Sequence, residues 1–224
     1  VLGVKRVVVA ALIAPQFLYR DAEPGAEGFA VAARLSFALW DSVPDAALLT
    51  AAKDGKLTTR DDIRAQADRM LSDPRAKAKM LAFFPAWLRL DHAPDVVKDA
   101  KRFPGFDPAV VADLRVSLDL MLDEIVFGEK SDFRQLLLAD HLPLNGRLAA
   151  LYGAAAPKTG GFANVALNAN HRAGVLTHPL VMAVHSYTAE TSPIHRGVFL
   201  TRGVFGQTLR PPQEAFTPFA ADLH

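Results

Sequence analysis

Residues 107–128 read DPAVVADLRVSLDLMLDEIVFG, and the fold class turns on this stretch. Val110, Leu114, Leu118, Met121, Leu122 and Ile125 recur at three- and four-residue steps, which places them on one face of a helix. Asp107 before Pro108 is an N-cap followed by a proline that has no N–H to satisfy, and Gly128 is a stop signal. Asp113, Ser117, Asp123 and Glu124 fall on the opposite face and make it polar. A helix of this length with one apolar stripe needs partners to cover the stripe, and the flanking sequence supplies more helices of the same kind.

Leu2 to Ala14 reads as a helix ended by Pro15, and its near-continuous apolar character predicts a buried one. Phe29, Ala33, Phe37 and Trp40 form one face of the next helix. Ser42 is expected to cap the helix that Gly55 stops, and Thr59 the one carrying Ile63, Ala67, Met70 and Leu71. A further helix spans Ala76 to Leu90. Beyond residue 128, Ser131 and Asn145 are read as caps of short helices, and His178-Pro179 and Ser192-Pro193 as the starts of the last two. Phe162 to Leu167 can form a short strand, and Pro211-Pro212 with Pro218 marks an extended tail. The expectation is an all-α fold of roughly nine helices packed as one irregular helical domain, with at most one short strand or hairpin near 160–168. Its parts would be residues 1–20 as the end of a preceding helical segment, 21–153 as the main helical domain, and 154–224 as a C-terminal helical subdomain with a Pro-rich tail.

With 224 residues, half of them hydrophobic, the chain can bury a core without staples. A net charge of +1 gives no global field for nucleic acid. The absence of cysteine excludes disulfides, thiolate metal sites, a thiol nucleophile and covalent haem attachment within these residues. The apolar run Val7 to Pro15 is too short to span a bilayer. Charge is unevenly spread. Residues 91–140 carry eleven acids against six bases, whereas 171–210 carry Arg172, Arg196, Arg202 and Arg210 against Glu190 alone. Two faces packing together would explain the asymmetry; so would a site for an anion in the basic half.

That basic half also holds four of the seven histidines, His171, His178, His185 and His195. His178 and His185 are two helical turns apart, roughly 10 Å. That is too far for one metal, and no carboxylate partner lies between them, so no metal site is read here. They are read as a cap and a helix-end imidazole, or as a pair facing haem or another ligand. Ser186, Ser192 and His195 lack any nucleophile-elbow context, which argues against a hydrolase. In the segment Thr191-Ser192-Pro193-Ile194-His195-Arg196-Gly197, cations sit at a helix start, where they oppose the dipole. Either they reach a carboxylate elsewhere or they help hold an anionic ligand. His178, His185, Thr191, Ser192, His195 and Arg196 are therefore the candidate ligand-binding residues; none is assigned a catalytic role.

Seven short motifs in order carry a resemblance: residues 15–20 (PQFLYR), 34–40 (RLSFALW) with Pro44-Asp45, 69–75 (RMLSDPR), Trp87-Leu88, 144–153 (LNGRLAALYG), 174–178 (GVLTH) and 191–197 (TSPIHRG). Together they resemble helical domains of unknown function in large exported planctomycete-type and myxobacterial-type proteins that also carry c-type cytochrome modules. The resemblance implies that Val1 lies inside a longer protein, periplasmic or extracellular. It implies that haem c is bound outside these residues and that the partners are cytochrome-type domains or subunits. The function it implies is electron transfer or substrate oxidation. The alternative is a non-catalytic domain that binds or scaffolds cytochrome modules or an extracellular polymer.

Overall fold

The computed structural model describes residues 2–18, 25–158, 160–168 and 170–210. They are mostly helical, with one two-stranded hairpin. The expected tail from Pro211 onward lies outside the described residues. The helices are α1 (Leu2–Leu12), α2 (Pro15–Leu18), α3 (Glu27–Trp40), α4 (Ala46–Lys53), α5 (Arg60–Leu71), α6 (Pro74–Trp87), α7 (Pro108–Phe127), α8 (Gln135–Leu138), α9 (Gly146–Tyr152), α10 (Pro179–Val184) and α11 (Pro193–Phe199). A π-helical turn, Leu200–Val204, extends α11. Strand β1 (His141–Leu144) pairs antiparallel with β2 (Ala163–Ala166), His141 opposite Ala166 and Leu144 opposite Ala163. The chain divides into two compact units, Val1–Phe83 and Phe84–His224.

In the first unit the core is Ala32, Trp40, Leu48, Ala51, Ala52, Leu57, Met70 and Ala76, contributed by α3 to α6 and the turn at Leu57. Gly28 lets α3 approach α4, because a Cβ there would fall 2.9 Å from the Ala52 carbonyl oxygen. The Trp40 indole donates to the Met70 carbonyl at 2.9 Å, and the Arg75 guanidinium lies 3.6 Å from its ring centroid. Thr59 caps α5 in a reciprocal capping box with Asp62.

Three expectations in this unit need correction. Asp45, not Ser42, caps α4: its carboxylate accepts from the Leu48 N–H at 2.8 Å and is gripped by Arg69. An anion suits the positive end of a helix better than a hydroxyl does, and Pro44 then precedes the cap instead of entering the first turn. The helix α1 is not buried; its apolar residues stand exposed, Val7 by 70%. The apolar stripes read on α3 and α5 fail at Phe29 and Leu71, which are both exposed.

The second unit is built around α7. Its bounds and caps are those the sequence marks: Asp107 accepts from the Val110 N–H at 2.8 Å, Pro108 is N1, and Gly128 follows the last turn. All six stripe residues are buried. They pack against α8, α9, α10 and β1. At roughly 1.5–3 kcal/mol for each buried large aliphatic side chain, this stripe is a major source of the unit's stability. Ser117, read as part of the polar face, is instead fully buried against α10. Ser131 does not cap a helix: it adopts φ 39° and its hydroxyl donates to the Val126 carbonyl, leaving α8 as a single turn. Strand β1 lies outside the 160–168 region where a strand or hairpin is expected; pairing with β2 and burial of Leu142 and Leu144 hold it in place.

Candidate functional site

A cleft of about 740 Å³ opens in the second unit, between the loop that precedes α7, the end of α9, the loop that precedes α10, α10 itself and the first turn of α11. Lys98, Arg102, Arg172 and Arg196 line it, with Glu190 as the one acid among the described lining residues. Phe103, Phe106, Tyr152 and Met182 give it an apolar wall.

Lys98 is structural. Its ammonium donates to the Ala183 carbonyl at 2.8 Å, the Ser186 hydroxyl at 2.9 Å and the Tyr187 carbonyl at 2.8 Å, so it ties the last turn of α10 to the loop that follows. Burial lowers its pKa from the ordinary lysine value. Asp99 continues the same docking, its backbone N–H donating to the Thr188 carbonyl at 3.0 Å.

The three arginines differ from Lys98. Arg102 donates to the Ala189 carbonyl at 3.2 Å. Arg172 donates to the Thr177 carbonyl at 3.4 Å and lies 4.9 Å from the centroid of the Tyr152 ring. Arg196 meets, among the described residues, the Met182 sulfur alone, 3.9 Å from one guanidinium nitrogen. Among the described residues none of the three is paired with a carboxylate. Each guanidinium offers five N–H donors, so most remain available to an incoming anion. Burial raises the pKa of the Tyr152 phenol, which therefore stays neutral beside Arg172.

The histidines of α10 lie elsewhere. His178 is fully buried, and its Nδ1 accepts from the Leu180 N–H at 3.2 Å. The ring proton is therefore on Nε2, which donates to the Ser117 hydroxyl at 3.3 Å. Burial, aided by the charge of Arg172, pushes its pKa down to about 3 and keeps it neutral. With both nitrogens engaged, His178 has none left for a ligand. His185 donates from Nε2 to the Leu88 carbonyl at 3.0 Å and stacks on Phe199 at 4.4 Å; burial lowers its pKa too. Ser192 caps α11 by accepting from the His195 N–H at 3.4 Å, and the His195 ring faces Tyr187 instead of the cleft.

Of the six candidates, then, the structure brings Thr191 and Arg196 into the cleft and leaves His178, His185, Ser192 and His195 in capping and packing roles. Of the two readings for Arg196, a carboxylate reached elsewhere is not found among the described residues, where its hydrogen-bond partner is the Met182 sulfur. Arg102, Tyr152 and Arg172 were not singled out. The signal for Arg172 was the excess of arginine after residue 171; Arg102 sits in an acid-rich stretch and only the docking of residues 98–102 on residues 183–189 brings it in. The described residues contain no group of three His, Asp or Glu placed to hold a metal ion, and no helix among them is long and apolar enough to cross a membrane.

Several quoted motifs acquire a physical role. In GVLTH, Gly174 takes φ 59° and ψ −172° where a Cβ would collide with the backbone of Leu136 and Leu137. Thr177 donates to the Ala173 carbonyl at 2.8 Å, and His178 caps α10. In LNGRLAALYG, Asn145 and Gly153 are the two ends of α9.

No curated protein and no solved structure matches the chain. Two families do. Residues 172–224 match a family described as a protein of unknown function (DUF1588), and residues 27–154 match another described in the same words (DUF1592). The second match spans more than half of the chain, which therefore belongs to the DUF1592 family.

Proposed function

We propose that this chain is an anion-binding domain of an exported protein that also carries c-type cytochrome modules. In this reading the ligand is held in the arginine-lined cleft, and oxidation or electron transfer takes place at haem c carried outside these residues. The cytochrome partners and the periplasmic or extracellular location rest on the resemblance of the seven motifs. The binding role rests on one observation: Arg102, Arg172 and Arg196 line a single cleft in which, among the described residues, none is paired with a carboxylate and Glu190 is the one acid. Three guanidinium groups around a concavity with one acid among the described lining residues repel one another, and an anion between them removes that cost while gaining charge-assisted hydrogen bonds.

The anion is not held by the start of α11. That helix has seven residues, and the Ser192 hydroxyl already takes the His195 N–H. The test is thermal unfolding of the protein and its Arg196→Gln variant over a phosphate titration. Phosphate stabilises proteins in general by exclusion from their surface, and that effect is common to both. The expected result is an added, saturable rise in midpoint for the wild type only. Identical curves for the two proteins would remove the basis of the proposal.

A further inference from the structure

We infer that the ligand of this cleft is an organic carboxylate with an aromatic or otherwise apolar body, as opposed to a bare inorganic anion; the inference rests on the anion-binding reading above. Two features of the walls carry it. The first is size. About 740 Å³ is far larger than a phosphate or acetate ion needs and falls within the range of sites that enclose drug-sized molecules. The second is the division of the lining. Phe103, Phe106, Leu151, Leu167 and Met182 offer carbon surface and a polarisable sulfur, while charge comes from the three arginines and Lys98 against Glu190. A small anion would leave that apolar wall in water, whereas a ligand with an apolar body would cover it.

The arginines favour a carboxylate head. A guanidinium presents a planar fork that matches the two oxygens of a carboxylate. Arg172 lies over the Tyr152 ring, where the fork is braced on one side by the aromatic face. Arg196 is held on the α10 side by nothing stronger than the Met182 sulfur. The head group is thus placed at Arg172 and Arg196, and the body along Tyr152, Phe103 and Phe106.

Isothermal titration with 2-naphthoate, acetate, phosphate and the neutral 2-naphthalenemethanol tests this. The expected order puts 2-naphthoate about tenfold or more tighter than both acetate and the neutral alcohol, since head and body each contribute. Arg172→Gln and Arg196→Gln should each weaken 2-naphthoate about tenfold or more. Arg196→Lys, which keeps the charge and loses the fork, should fall between them and the wild type. Lys101→Gln, on the exposed side of the same loop and outside the cleft, should bind as the wild type does. If Arg172→Gln does not fold, the Arg196 pair decides the matter. Phosphate bound through Arg196, with 2-naphthoate no tighter than acetate, would overturn the ligand class and leave the anion-binding reading standing. No binding by any of the four compounds would overturn both. Equal binding of 2-naphthoate and the neutral alcohol would show a greasy pocket and overturn the carboxylate assignment.

Discussion

Nε2 of His178 donates to the hydroxyl of Ser117 at 3.3 Å, and neither side chain is exposed to solvent. This bond ties the N-cap of α10 to the middle of α7, so one imidazole closes a helix start and joins two helices.

Ser117→Ala leaves the Nε2 proton without an acceptor in a dry site, so a loss of about 1–3 kcal/mol is expected in urea unfolding. A loss within error of zero would mean that the imidazole finds another partner.

The same histidine makes stability depend on pH. Its folded pKa lies at about 3, below the ordinary 6.5, so the unfolded chain takes up the proton first as pH falls. The contribution is therefore complete above pH 6.5 and is lost as pH falls from 6.5 toward 3. The slope from this one group approaches about 1.4 kcal/mol per pH unit within that window. His178→Asn keeps a capping side chain and removes the titration, so its stability should fall less steeply between about pH 6 and pH 5. Equal slopes for the two proteins would place the acid sensitivity elsewhere.

Gly174→Ala is expected to be among the most damaging single substitutions in the chain. The backbone conformation at residue 174 is open only to glycine, and the added methyl would meet the main chain of α8 at Leu136 and Leu137. A loss of roughly 3 kcal/mol or more is expected in chemical unfolding. Gly161→Ala, where a Cβ has open space, is the control and should be close to neutral. Comparable midpoints for the two variants would contradict the tight approach.

Lys98→Met should loosen the cleft wall, because it removes the tie between the Ala183 carbonyl at the end of α10 and the Tyr187 carbonyl in the loop that follows. A lower melting midpoint and faster amide exchange across residues 183–189 are the expected signs. Unchanged exchange there would show that the loop holds its shape without the lysine.

Most of the fold was legible in local signals, and particular residues show why. Asp107, Thr59, Asn145, His178 and Ser192 are caps whose partners lie two or three residues away, so the sequence contains both ends of each interaction. The failures are of two kinds. Ser42 against Asp45 and Ser131 against a single-turn α8 were decided by Arg69 and by the Val126 carbonyl, which no capping rule includes. Ser117 and strand β1 depend on α10 and β2, segments distant in sequence. The cleft was harder still. Arg196 stood out because cations at a helix start oppose the dipole, and Arg172 belonged to a visible excess of charge. Tyr152 and Arg102 carried no signal, since tertiary contacts alone put them on the same cavity.

If the arginines of this cleft meet an anion, their side-chain Nε–Hε resonances report on that contact directly. In a titration with phosphate, the signals of Arg172 and Arg196 should shift together and saturate, while those of Arg60 and Arg64 on the exposed side of α5 stay in place. Small, unsaturated shifts of the same size at all four residues would contradict the account.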